Sequence, residues 1–451
     1  MNKILHVLDS IYCSQGDTSG RRNPKKFFEK AEGCYLTDFD GIKYLDMQMQ
    51  NSSANFGYQN LIFNNALINQ INVLPSLASE FMNEQRVLLS TEICKYMEKN
   101  YHIKGRVHFN VGGAQAIDDA LKLVANYTGN KSVFCFEGGY HGRTMTASSA
   151  SSSYRYKRQF GAVIQTYRIP FPNCAHCAYN KIKETCNLYC LSRFERLFQS
   201  EYYDVYDNNS NECAYSAFLC EMVLGRGGYV VPPQNYFKEL KRILDKYHII
   251  LIDDEVQMGF YRTGKQWAFE NFDIVPDIIV FGKAITNGLW PVSGIWAKED
   301  LINPKIWPCG SSHSTFAGHP LGMTLGLETF KLLQDKKNKD KIKKSSLLFK
   351  KVIEDLPKRY NIIGRVDIIG HAAGIEIIDP KTKTPDKKTA KKISEKMMNE
   401  PILINGTLYG LIVTVGGIFE NTFMLSPNIL IDEDNLELFS KLINHYLNYT
   451  I

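Results

Sequence analysis

Five apolar runs of strand length constrain this chain most: residues 107–111, 133–136, 217–220, 249–252 and 278–281. Segments with helical spacing separate them, so the pattern predicts α/β units around a mainly parallel sheet. The residues just after each run carry the chemistry. In order come Gly112-Gly113-Ala114, then Gly138-Gly139-Tyr140-His141-Gly142-Arg143, then Glu221, then Asp253-Asp254-Glu255, and last Gly282-Lys283. Small, aromatic and ionisable residues thus stand at the carboxyl ends of five candidate strands, where open α/β sheets form their ligand crevice. A single site drawing on all five is the economical reading.

Composition narrows the class. A length of 451 residues predicts two to three domains, and 44% hydrophobic with 22% charged residues is globular, not disordered. Basic residues outnumber acidic ones 53 to 47, a net +6 that points to neither nucleic acid nor an anionic membrane. An odd total of eleven cysteines, without a secretory pattern over residues 1–12, predicts reduced thiols and a cytoplasmic protein. Residues 401–419 carry no charge and could span a bilayer as a helix. Pro401, Asn405, Gly406, Gly410, Gly416 and Gly417 instead divide them into short strands and turns. The Lys-rich run 336–351 reads as the end of one helix and the start of another, and 380–392 as a loop. Both are expected to be solvated surface, not a nucleic-acid patch.

Two strand ends define a chemistry between them. Gly112-Gly113-Ala114-Gln115 precedes Ile117, Ala120, Leu121 and Val124, the apolar stripe of a helix packed on a sheet. Such a helix start can hold a phosphate with its free N–H groups, or be no more than a tight connection. Asp254 and Lys283 suit a cofactor that needs a lasting positive charge and a reactive amine, and pyridoxal 5′-phosphate is one. The plainer alternative is a buried Asp–Lys ion pair. Mg²⁺ at Asp253-Asp254-Glu255 is disfavoured, because successive strand residues point to opposite faces.

The stretches 109–116, 139–144, 254–265, 281–284 and 314–320 together resemble the class III aminotransferases, pyridoxal phosphate enzymes of fold type I. The resemblance runs from about Asp38 to near the carboxyl terminus. It implies an α/β fold with a large domain, built on a mainly parallel seven-stranded sheet, and a smaller α+β domain. Residues 1–60 would contribute to the small domain, 61–325 would form the cofactor domain with a Cys-rich insertion at about 170–195, and 326–451 would complete the small domain. By the same resemblance Lys283 would bind the cofactor as a Schiff base and then shuttle a proton, and Asp254 would pair with the cofactor's ring nitrogen. Gln257 would reach its phenolic oxygen, and Tyr140 and Val256 would cover its two faces. His141 would belong to the same set, and the N–H groups of Gly113 and Ala114 would hold the phosphate. Thr315 would do so from the neighbouring subunit of a homodimer. The reaction implied is ping-pong transfer of an amino group from an ω-amino acid, diamino acid or amine to a 2-oxo acid.

Substrate residues are where the chain departs from the family pattern. Arg143 matches an arginine that binds a substrate carboxylate, and Glu221 lies where the family has an acid near substrate and cofactor. Many members carry a Glu in Gly-Glu-Gly-Gly that neutralises a carboxyl-terminal Arg; here Arg226 replaces that Glu and Met424 stands near the Arg position. Arg226 is therefore a candidate carboxylate anchor, and Asn51 occupies a place often apolar in relatives. Cys174, Cys177, Cys186 and Cys190 have spacing compatible with zinc or an iron–sulfur centre, although packed reduced thiols are the plainer expectation. Racemase, aminomutase or decarboxylase chemistry on the same scaffold is the nearer alternative, and a non-catalytic, metal-holding interaction protein the more distant one.

Overall fold

The computed structural model describes residues 2–14, 16, 26–157 and 160–448, so Met1 of the amino-terminal segment and the last three positions lie outside the described residues. Its central sheet has seven strands: β1 (Gly105–Asn110), β2 (Val133–Phe136), β3 (Thr166–Ile169), β4 (Ala217–Cys220), β5 (Ile250–Asp254), β6 (Ile278–Phe281) and β7 (Ser293–Lys298). Across the sheet they run β1, β7, β6, β5, β4, β2, β3, and only β7 lies antiparallel to its neighbours. The five apolar runs are β1, β2, β4, β5 and β6. Strands β3 and β7 carry no such run: β3 is a half-buried edge strand with Arg168, and β7 mixes Ser293 and Gly294 with Trp296.

Burial on both faces explains why the strands read as continuous apolar segments. Helix Gly113–Thr128 lays Ile117, Ala120, Leu121 and Val124 on one face, against Val133, Leu219, Ile252 and Val280. Phe134, Phe136, Phe218, Phe281 and Trp296 fill the other. Each such side chain contributes about 1.5–3 kcal/mol by leaving water.

The chain ends meet in a second core. Strands Phe28–Glu32, Tyr35–Asp38 and Lys43–Asp46 share a sheet with Ile402–Ile404 and Thr407–Ile412, and Leu45 lies opposite Leu411 in a parallel pairing. Ile363–Ile369, Ala372–Ile377, Thr422–Leu425 and Thr414–Gly416 form a four-stranded sheet beside it. Leu45, Ile375, Leu411, Phe423 and Phe439 belong to one buried cluster. The uncharged stretch 401–419 is thus strands and turns, and among the described residues no helix is long and apolar enough to cross a membrane. The Lys-rich run differs from expectation. It lies within one helix, Lys336–Ile353, because Asp335 just before it accepts from the Lys337 N–H and caps the start.

Candidate active site

The carboxyl ends of β1, β2, β4, β5 and β6 open onto one cavity of about 620 Å³. Asp254 ends β5 with its side chain turned to that cavity, and both carboxylate oxygens are engaged. Oδ1 accepts from the Val256 N–H at 3.1 Å, and Oδ2 lies 2.8 Å from His141 Nδ1. Strand alternation sends Asp253 and Glu255 the other way, into the core, where Glu255 accepts from the Phe269 N–H. Burial raises both of their carboxyls, Glu255 to about 7. The three acids do not converge.

Lys283 comes just after β6 in a left-handed backbone conformation, φ 44°, which points its side chain into the cavity. Burial lowers its pKa, opposed by the charges of Asp254 and Glu221. A buried lysine is driven toward its neutral, nucleophilic form. Glu221 comes just after β4 and is clamped by two backbone donors: Oε2 accepts from the Tyr140 N–H and Oε1 from the Gly225 N–H, each at 3.0 Å. Burial pushes its carboxyl up to about 7, with His141 pulling down and Asp254 pushing up.

These residues fit pyridoxal 5′-phosphate on three observations. Helix Gly113–Thr128 begins at Gly112 with no side-chain cap, so its first N–H groups are free for an anion. A Cβ on Gly113 would stand 3.0 Å from Val256 Cγ1, so the glycine keeps the floor of the cavity open there. His141 Nε2 is buried with no partner among the described residues, while Nδ1 braces the carboxylate that would face a ring nitrogen.

Other expected residues divide into two groups. Gly113, Ala114, Tyr140, Arg143, Val256 and Gln257 line the cavity with Asp254, His141, Glu221 and Lys283. Tyr140 meets Tyr156 edge-on at 5.5 Å, and the Arg143 guanidinium lies 5.0 Å over the same Tyr156 ring. Gln257 Nε2 donates to the Tyr229 hydroxyl at 2.8 Å, which in turn lies 3.1 Å from Ser52 Oγ. Thr315, Arg226 and Asn51 do not line the cavity. Thr315 and Asn51 are exposed. Arg226 is half-buried and donates to the Val415 carbonyl at 3.0 Å.

In place of Asn51, the wall is formed by Gln50 and Ser53. Met49 to Ser52 all have positive φ, and this left-handed turn rotates the chain out of the register expected from sequence. Trp290 on the opposite loop also lines the cavity without belonging to any sequence motif, although its place soon after Lys283 is a usable signal. Cys174, Cys177, Cys186 and Cys190 line a separate, narrow apolar pocket with Phe171 and Tyr179. All four are free thiols, and no three His, Cys, Asp or Glu side chains among the described residues are grouped to hold a metal ion. The spacing compatible with zinc or iron–sulfur is therefore not matched by a ligand set in space.

Comparison with known proteins agrees with this geometry. The leucine/methionine racemase of Thermococcus litoralis is 27% identical over 90% of this chain and 87% of its own. The probable 4-aminobutyrate aminotransferase of Bacillus subtilis is also 27% identical, over 85% of each chain. The taurine:2-oxoglutarate aminotransferase from Bifidobacterium kashiwanohense, solved with pyridoxal phosphate and glutamate, shares the fold with a TM-score of 0.86, 24% identity and coverage of 99% and 97%. The family description "Aminotransferase class-III" matches residues 18–447. With a fold type I sheet, a lysine and an aspartate set across one cavity, and a match along nearly its whole length, the chain belongs to the class III aminotransferases, enzymes that work with pyridoxal 5′-phosphate.

Proposed function

We propose that the protein moves an amino group from a carboxylate-bearing donor, such as an ω-amino or diamino acid, to a 2-oxo acid, with Lys283 as the proton carrier. The observation that carries this reading is the buried Lys283, its pKa lowered, in one cavity with the His141-braced Asp254. Pyridoxal 5′-phosphate, when bound, supplies an aldehyde that condenses with amines and a cationic ring that accepts the electron pair released at the donor carbon. Asp254 would set its carboxylate against that ring nitrogen, and His141 stops the carboxylate from turning away. Lys283 Nζ would take the proton from the donor carbon and deliver it to the carbon on the other side of the amine nitrogen. Gly113 and Ala114 would offer N–H groups to the phosphate, Tyr140 and Val256 would cover the ring, and Gln257 is held by the Tyr229 hydroxyl. Arg143 offers its planar fork to a substrate carboxylate at the cavity wall.

Exposed apolar side chains support a homodimer. Leu61, Val73, Phe81, Met82 and Phe316 are each more than half exposed. Asn83 donates to the Gly318 carbonyl, tying the loop that bears Thr315 and Phe316 to the segment of Phe81 and Met82. A face of this kind on one chain is suited to a second copy, which would bring Thr315 to the neighbouring cavity. Eleven free cysteines support the cytoplasm as its compartment. The second buried core, which joins residues between Cys34 and Met47 to residues between Phe349 and Leu447, supports a small domain made from both chain ends, while Phe330, Leu333 and Ile342 pack with the cofactor-domain core.

The test is a half-reaction. Holoenzyme mixed with a donor amine is expected to lose its visible absorption band as the aminated cofactor forms, and Lys283→Ala is expected to abolish turnover. A second reading, racemisation, is favoured by the similarity to the leucine/methionine racemase. It predicts exchange of the donor's α-hydrogen with solvent and loss of optical activity without a 2-oxo acid product. Net amine transfer to a 2-oxo acid decides for the first reading.

A further inference from the structure

Gln50 stands on the wall of the cavity in a backbone conformation that no side chain favours. Its φ and ψ are 53° and 46°, and Met49, Asn51 and Ser52 on either side are also left-handed. Only glycine adopts this region without steric conflict, and four successive non-glycine residues there form a strained turn. The surroundings over-determine it. Asp46 Oδ1 accepts from the Gln48 and Met49 N–H groups at 2.8 and 3.0 Å, Ser53 N–H donates back to the Met49 carbonyl, and Ser52 Oγ is tied to the buried Tyr229 hydroxyl. The result of the strain is the direction of one side chain. Gln50 lies over Gly288, where a Cβ would stand 3.2 Å from Gln50 Cδ, so the bare glycine leaves the room its carboxamide occupies. Gln50 is exposed to the cavity mouth, and its carboxamide has no hydrogen-bond partner among the described residues.

We propose that Gln50 is a specificity-determining residue that hydrogen-bonds an uncharged polar end of the amino donor, so that donors ending in a hydroxyl or carboxamide are preferred over those ending in a methyl or a second carboxylate. A carboxamide both donates and accepts, and it carries no charge. Arg143 is available for one carboxylate. A second carboxylate meets no further free guanidinium in the cavity, because Arg226 is turned outward to the Val415 carbonyl. A methyl end leaves the Gln50 amide unpaired when the donor displaces water from it, which is the costly outcome for a polar group. The inference rests on the amino-transfer reading.

Rates of the spectral half-reaction with serine, glutamine, alanine and glutamate test it on the purified holoenzyme. Wild type is expected to favour serine or glutamine over both alanine and glutamate. Gln50→Gly keeps the left-handed turn and relieves its strain, so its Tm is expected to rise by about 1–2 °C. Gln50→Leu keeps the bulk. In both variants the kcat/KM ratio of the preferred polar donor to alanine is expected to fall about tenfold, the size of one net hydrogen bond. Ratios within twofold of wild type in both variants overturn the assignment of Gln50, while the alanine half-reaction continues to support amino transfer. Absence of a spectral change with these four donors overturns the proposal, and absence with an ω-amino acid and a diamino acid as well overturns the amino-transfer reading.

Discussion

Asp254 acts through a charge that it cannot withdraw from the cavity. The Val256 N–H holds one oxygen and the His141 ring the other, so rotation of the carboxylate would break both bonds. Asp254→Asn preserves the shape and removes the charge. The half-reaction kcat/KM is expected to fall at least about 100-fold, as when other positioned charge-stabilising groups are removed, with the circular dichroism spectrum unaltered. Glu221 sets the electrostatics of Lys283 from the other side. Its carboxyl, raised to about 7 by burial, gains and loses a proton in the working range, and its negative form favours the charged amine. Glu221→Gln is expected to flatten the pH profile of the half-reaction between pH 6 and 8, measured with one donor throughout.

At the scale of elements, the site depends on how closely two strand-to-helix turns approach. Gly142, after β2, has φ 125°, and a Cβ there would come within 2.8 Å of Ala114 Cα at the start of helix Gly113–Thr128. The close approach brings the Tyr140-His141 turn beside the phosphate-type N–H groups. Gly142→Ala forces the two apart and places alanine in a disfavoured conformation. It is expected to lower the unfolding free energy by about 1–3 kcal/mol, read from the urea midpoint, and to weaken cofactor retention on dialysis. The turn after β2 is legible in the chain because it follows an unbroken apolar run that the sheet buries on both faces, and the turn after β1 because Gly112-Gly113-Ala114 precedes the apolar stripe of a helix. Strand β3 and strand β7 are not, since an edge strand with Arg168 and a strand of mixed Ser, Gly and Trp have no distinctive period.

The whole molecule is held together across its two cores by buried polar groups from distant parts of the chain. Arg262, fully buried in the loop after β5, donates to the His371 carbonyl at 3.1 Å, to the Pro427 carbonyl and to Asn55 Oδ1. His371 lies beneath it with Nε2 2.8 Å from Ser345 Oγ. Burial, reinforced by the Arg262 charge, lowers the His371 pKa to about 3. Above pH 6.5 the ring is neutral folded or unfolded. As pH falls from about 6.5 toward 3 the unfolded ring binds a proton that the folded ring does not, so stability drops by about 1.4 kcal/mol per pH unit. His371→Gln is expected to remove about 2–3 kcal/mol of the loss between about pH 7 and 4.5, measured by urea unfolding at the two values. At the same scale, the proposed homodimer predicts that Phe316→Asp, at a side chain more than half exposed, lowers the sedimentation coefficient toward that of a monomer in analytical ultracentrifugation and reduces turnover.

By itself the sequence determined the sheet, the helix start at Gly113, and the placement of Asp254 and Lys283 at strand ends. These features come from local pattern, since a strand buried on both faces is apolar almost to its end and open α/β sheets form their crevice at the carboxyl ends of the strands. Only the tertiary structure decided which residues line the cavity. It put Gln50 on the wall in place of Asn51, through a turn whose left-handed φ values leave no mark in composition. It sent Arg226 to a backbone carbonyl 189 residues away and spread four closely spaced cysteines around an apolar pocket. Side-chain direction at these positions is set by contacts between distant segments, and spacing along the chain carries no information about them.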